Sequence, residues 1–193
     1  YMEPQGMIAR YENDKLTIEG SLQCPYYIKN SLMNAFNFES DRVRVIQTTT
    51  GGAFGGKEDY PSIIAAHAAA AAMVSGKTVK IILDRRNDMT ITPKRHPSLI
   101  KIKTALDNEN NIIGMDIDCK LDAGAYESLS GVVLERAIFI CTGAYNIENV
   151  RVRGRTMKTN HVPSGAFRGF GGPQALFAAE SNMYFLAHKL NIN

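Results

Sequence analysis

The 193-residue chain lacks most of what common function classes require. Its three cysteines, Cys24, Cys119 and Cys141, are odd in number and far apart, with no C-x-x-C or Cys/His ligand spacing. That argues against a disulfide framework or a zinc site and fits a reducing cytoplasm. No apolar stretch reaches membrane-spanning length: the best candidate, Ile63 to Val74, is an alanine-rich run that contains His67 and stops at Ser75-Gly76. Charge of one sign is missing too. Lys and Arg total 22 against 19 Asp and Glu, a net +3 without a basic run or aromatic interleaving, which makes nucleic acid a poor partner. No Ser/His/Asp or Cys/His arrangement is visible. His67 reads as packed within its helix, His96 and His161 as members of polar loops, and His188 as lying near a helix end. There is no initiator methionine and no signal-peptide character at Tyr1-Met2-Glu3-Pro4, so the chain reads as excised from something longer.

An apolar fraction of 45% with 21% charge is that of an ordinary globular protein, long enough for one core or two small lobes, roughly 1–85 and 86–193. Alternation predicts strands at Leu16–Leu22, Val43–Ile46, Thr78–Leu83, Leu99–Leu106, Ile112–Leu121 and Val150–Met157. The two strands on either side of Asp107-Asn108-Glu109-Asn110-Asn111 should form a hairpin. Helical spacing predicts helices at Tyr26–Phe38, Tyr60–Val74, Leu134–Ile140 and Gln174–Leu190, the second with Pro61 in its first turn and Gly76 at its end. The alanines Ala65, Ala66 and Ala68 to Ala72 should let that helix pack closely on a neighbour. Hairpins mixed with crossovers favour an α+β fold with mixed sheets and packed helices. Each half holds a strand, a Gly-Phe-Gly-Gly loop and a helix, a weak hint of duplication.

Those two loops carry the chemistry. The first, Gly51-Gly52-Ala53-Phe54-Gly55-Gly56-Lys57-Glu58, lies between a predicted strand and a predicted helix, where backbone N–H groups favour an anion or a polar oxygen. It satisfies the opening of the P-loop pattern G-x-x-x-x-G-K. The nucleotide reading fails at the next position, because Glu58 replaces the hydroxyl that would hold magnesium and its carboxylate would repel phosphates. The second, Phe167-Arg168-Gly169-Phe170-Gly171-Gly172-Pro173-Gln174, again precedes a helix and adds a cation. Tight turns with positive φ would explain one such loop. Two of them suggest backbone brought close to a ligand.

Gly-Ala-Phe-Gly-Gly-Lys-Glu and Ala-Phe-Arg-Gly-Phe-Gly-Gly-Pro-Gln resemble the paired signatures of the xanthine dehydrogenase and molybdenum hydroxylase family. The likeness extends to Met2-Glu3-Pro4, Gln23, Asp122-Ala123-Gly124-Ala125-Tyr126 and Leu134-Glu135-Arg136-Ala137, and so covers nearly the whole chain. The resemblance implies a partial molybdopterin-binding domain over 1–193, in which molybdenum is held by a pterin dithiolene and by no protein side chain. It implies that Gln23 lies beside the metal's oxo group, that Phe54-Gly55 approaches the same oxygen through its backbone, and that Arg168 and Gly169 contact the pterin. Phe170 matches one of two phenylalanines that sandwich a flat aromatic substrate, while Phe167 reads equally as a buried support for the loop. Glu58 and Arg136 match the pair that binds the heterocycle and steadies charge on it in purine-hydroxylating members, where aldehyde-oxidising relatives carry apolar residues. Physically, a carboxylate and a guanidinium can bond opposite edges of a polar ring, and the arginine can stabilise an enolate-like oxygen.

The implied activity is hydroxylation of a purine, xanthine or hypoxanthine, with water-derived oxygen. The alternatives are another N-heterocycle such as nicotinate, an aldehyde, or a non-catalytic cofactor-binding or assembly module. The implied cofactor is molybdenum-molybdopterin, possibly as its dinucleotide, with [2Fe-2S] and FAD on other domains or subunits. The remaining half of the molybdopterin-binding domain would be a partner, and the family's general base would lie there, leaving this segment inactive alone. Ala53 stands where a third glycine is common, which matters only if that residue needs φ > 0. Cys24, next to Gln23, has no assigned role.

Overall fold

A computed structural model of the chain describes residues 1–192, which form two compact units, Tyr1–Pro93 and a second beginning at Lys94. The first contains β1 (Gly6–Glu12), β2 (Lys15–Gly20), α1 (Pro25–Phe36), β3 (Val43–Gln47), α2 (Pro61–Ser75), β4 (Val79–Ile82) and α3 (Arg85–Ile91). Its sheet runs β3-β2-β1-β4; β2 and β3 are parallel and the other pairs antiparallel. Parallel strands need a crossover, and α1 supplies it. Ile28 and Leu32 of α1 are fully buried, each stabilising the unit by about 2 kcal/mol.

Helix α2 buries Ile64, Ala65, Ala68, Ala69 and Ala72 in the core that holds Met7, Ala9, Leu16 and Ile18. The methyl side chains let the helix lie close, as their spacing suggested, but His67 faces solvent and is not packed. Two elements escaped sequence reading. Strand β1 alternates only weakly, through Met7 and Ala9, and α3 is polar with little apolar period. It is started by Asp84, whose carboxylate accepts from Asn87 N–H at 2.7 Å. The buried Asp88 ties α3 to the first unit, accepting from Gln5 N–H at 2.7 Å and Tyr1 O–H at 2.8 Å.

The second unit contains β5 (Ser98–Leu106), β6 (Ile112–Gly124), α4 (Ser130–Phe139), β7 (Val150–Lys158) and α5 (Gly172–Leu190). Its sheet runs β5-β6-β7, with the antiparallel hairpin β5/β6 and the parallel pair β6/β7. The hairpin turn forms where expected, Asp107 Oδ1 accepting from Glu109 N–H (2.9 Å) and Asn111 N–H (2.8 Å). One face of β6 buries Met115, Ile117, Cys119 and Leu121 in the core with Val133, Ala137, Cys141 and Ala175. The opposite face is charged, with Arg151 on Asp116 at 2.6 Å and Arg155 on Asp118 at 3.0 Å. That division suits a sheet solvated on one side.

The architecture is α+β with mixed sheets, as the sequence implied. The duplication is plainer in topology than in sequence. Each unit runs antiparallel hairpin, helical crossover, parallel strand, Gly-Phe-Gly-Gly loop, helix: β1-β2-α1-β3-α2 and β5-β6-α4-β7-α5.

Candidate functional site

The first loop joins β3 to α2 and is shaped by left-handed backbone. Gly52 has φ +94°, Phe54 +53° and Gly55 +94°. Ala53 is not among the positive-φ residues, so its methyl group carries no backbone penalty. A phenylalanine at φ > 0 is uncommon and costs on the order of 1 kcal/mol, a strain maintained only where surroundings fix it. Here Gln23 does the fixing. Its Oε1 accepts from Gly55 N–H at 2.9 Å and from Lys57 N–H at 3.3 Å, and its own N–H donates to Lys57 C=O at 2.8 Å. The Gly55 amide is thus committed to Gln23, and the Gln23 Nε2 group is left as an exposed donor without a protein acceptor among the described residues.

Lys57 is 0% exposed and turned inward, with Nζ on Glu3 Oε2 at 2.6 Å and on Ser21 Oγ at 3.0 Å. A lysine so engaged does not reach for phosphate, which completes the case against the P-loop pattern. Glu58 is half-buried, and its carboxyl meets no donor among the described residues. Burial, then the charge of Asp59, raises its pKa above the usual carboxylate value. Cys24 sits in the same field. Burial, then Glu58 and Asp59, push its thiol up, so it is a poor nucleophile.

The second loop repeats the pattern: Gly169 φ +88°, Phe170 +48°, Gly171 +88°. Phe170 N–H donates to Phe167 C=O at 2.7 Å and Gly172 N–H to Gly169 C=O at 2.9 Å. The two phenylalanines differ from expectation. Phe167 is 41% exposed, with the Arg95 guanidinium 4.7 Å over its ring, while Phe170 is partly buried against the core of its unit. Phe167 is therefore not the buried support. Arg95 also donates to Arg168 C=O at 2.6 Å, bracing the loop from the segment before β5. The Arg168 side chain is exposed.

Arg136 lies in the last turn of α4, exposed and without an ion pair among the described residues, where a cation suits the helix dipole. The second loop abuts that helix: a Cβ on Gly171 would fall 3.1 Å from Ala137 N and 3.3 Å from Ala137 Cβ. Gln23, Phe54, Gly55 and Glu58 are thus gathered in the first unit, and Arg136, Arg168, Gly169 and Phe170 in the second. Sequence reading missed Glu3, Ser21 and Arg95, the braces of the loops, because each acts across tens of residues with no spacing to betray it. It also misplaced His96, which is 2% exposed, its Nε2 2.7 Å from Ser130 Oγ. Burial lowers its pKa and keeps it neutral.

Among known families, the molybdopterin cofactor-binding domain matches residues 1–193. The chain belongs to that family. It is 36% identical over its full length to the nicotinate dehydrogenase large molybdopterin subunit of Eubacterium barkeri, covering 45% of that protein. It is also 36% identical over its full length to a protein of Bacillus subtilis (strain 168) whose name reads "Probable xanthine dehydrogenase", covering 26% of it. Among solved structures, the aldehyde oxidoreductase from Desulfovibrio gigas superposes with a TM-score of 0.87 at 29% identity, over 98% of this chain and 21% of that one. The chain therefore spans less than half the length of these relatives. Family membership makes it a molybdopterin-binding domain of the molybdenum hydroxylase type, whose members carry names for purine, nicotinate and aldehyde substrates alike.

Proposed function

We propose that this chain is the part of a purine-hydroxylating molybdenum enzyme that cradles the pterin cofactor and supplies half of the substrate pocket. Three observations support the fit to such a group. Gln23 offers an exposed, unsatisfied amide donor beside backbone that glycine has cleared; two phenylalanine-glycine turns of the same hand repeat that backbone; and the residues gathered are hydrogen-bond donors, not metal ligands. In this reading Gln23 Nε2 and the Phe54-Gly55 turn face the metal's oxygen, while Arg168 and Gly169 hold the pterin. When bound, the cofactor supplies the oxidising centre and the water-derived oxygen that enters the substrate ring.

The single observation that carries the purine reading is Glu58. A half-buried carboxyl with a raised pKa and no protein partner is costly unless a ligand uses it, and at a raised pKa it can present a proton to a ring nitrogen. Arg136, likewise unpaired, would hold the opposite edge and the oxygen where charge develops, worth about 2 to 4 kcal/mol in the transition state. Phe170 would offer a flat face. The remaining half of the domain would bring the general base, and [2Fe-2S] and FAD modules the electron path. A cytoplasmic location is supported by three cysteines that are all free. In the complete enzyme, Glu58→Ala and Arg136→Ala should each depress xanthine or hypoxanthine turnover about 100-fold with molybdenum content retained. Unchanged turnover in steady-state assays would remove both residues from the pocket.

Another N-heterocycle is the second reading. The nicotinate dehydrogenase likeness favours it, and Glu58 could serve a pyridine nitrogen as well as a purine. Parallel assays of xanthine, nicotinate and an aldehyde separate the three.

A further inference from the structure

Glu3 has no role in the reading above, yet one oxygen of its carboxylate gathers three donors at the first glycine loop. Glu3 Oε2 accepts from Lys57 Nζ at 2.6 Å, from Ser21 Oγ at 2.6 Å and from Gly51 N–H at 2.8 Å. Gly51 opens the loop and Lys57 closes it. Ser21 stands just past the end of β2, two residues before Gln23. A Cβ on Gly51 would lie 2.8 Å from Glu3 Cβ, so glycine is needed for the approach. The peptide of Lys57 in turn holds Gln23 by its N–H and its C=O, at 3.3 and 2.8 Å.

We propose that Glu3 is a positioning residue of the cofactor site: it pins both ends of the first glycine loop and, through Lys57, aims the Gln23 carboxamide. The proposal rests on the reading of Gln23 given above. A fully buried ammonium needs a counter-charge in hydrogen-bond contact, and a second charge on the loop itself would compete for the ligand. Placing the counter-charge on the N-terminal segment leaves the loop's open side to its donors. The hydrogen bonds from Lys57 and Ser21 hold the Glu3 carboxyl down to about 2, so it stays ionised at any working pH.

The test compares Glu3→Gln, Gln23→Ala and the double variant in the complete enzyme. Backbone amide exchange in the peptide spanning 51–58 should accelerate about tenfold in Glu3→Gln relative to the α2 peptide. Turnover should fall about tenfold with KM changed less than about twofold. The molybdenum(V) paramagnetic resonance spectrum should move in the same direction as in Gln23→Ala. The double variant should be no slower than Gln23→Ala alone, because Glu3 acts through Gln23. Unchanged exchange, or losses that multiply in the double variant, would overturn the proposal. If Gln23→Ala leaves rate and spectrum untouched, the reading of Gln23 falls and takes the proposal with it. Should Glu3→Gln not accumulate, Ser21→Ala removes one donor without stranding a charge. It should cost about two- to threefold with the same non-additivity, and an additive loss there would equally overturn the proposal.

Discussion

Replacing Gly171 by alanine puts the construction of the second loop to a quantitative test. Gly171 has φ +88° and is the residue from which α5 starts. An added Cβ would come closer than 3.0 Å to the Val133 carbonyl oxygen, with Ala137 N at 3.1 Å and Ala137 Cβ at 3.3 Å. The obstacle is the backbone of α4, which cannot rotate aside as a flexible side chain could. Left-handed backbone costs a non-glycine residue about 1–2 kcal/mol, and forcing two packed backbones apart about 1–3 kcal/mol more. A total near 3–4 kcal/mol should lower Tm by roughly 10 °C in a protein of this size. Gly76→Ala is the matched control: φ is +64° there, but nothing lies within 4 Å of the added methyl. It should lose only about 1 kcal/mol, or roughly 3 °C. Thermal unfolding of the two variants side by side, with urea titration for the free energies, reads the difference. Because α4 carries Arg136, Gly171→Ala should also weaken substrate binding while Gly76→Ala does not. If Gly171→Ala lost no more than Gly76→Ala, the claim that the loop is pressed against α4 would be wrong.

The ion pair at the first loop predicts an asymmetry. Glu3→Gln strands a fully buried ammonium and should cost about 3 kcal/mol, whereas Lys57→Met strands a carboxylate that is 39% exposed and should cost about 1 kcal/mol; equal losses in urea titration would refute the burial argument. Glu58 predicts a pH dependence of stability. Its pKa is raised in the folded state, so it favours folding at low pH and opposes it once pH rises through the folded value. Glu58→Gln should therefore gain Tm over the parent as pH rises above the usual carboxylate range and lose that advantage in acid. A Tm difference that ignored pH would count against the partly buried, unpartnered carboxyl.

Several elements could be read from the chain because their determinants are local. Pro61 and Gly76 bracket α2, the Asp107 turn sets the β5/β6 hairpin, and two Gly-Phe-Gly-Gly runs announce backbone that only glycine tolerates on either side of the phenylalanine. The residues that resemble a molybdenum hydroxylase site were legible for the same reason, as short contiguous strings. Strand β1 and helix α3 were not. Met7 and Ala9 are too few and too small to mark a period, and Asp84 caps a helix whose own residues are mostly polar.

What the sequence by itself determined is the family, the α+β class, the limits of most elements and the two loops with Glu58, Arg136 and Phe170 near them. Each of these depends on neighbours within a few residues, where covalent geometry fixes the outcome. Which side chains face in and which face out was decided only by tertiary structure. Lys57 turned from a phosphate ligand's position to a buried anchor because Glu3, 54 positions away, supplies its counter-charge. Phe167 and Phe170 took opposite exposures because Arg95 covers one and the core receives the other. His96 went from a polar loop to a buried, neutral ring on Ser130. In each case the free energy of a charge or a ring depends on the dielectric and the partners around it, and the order of residues along the chain does not contain those until the chain has folded.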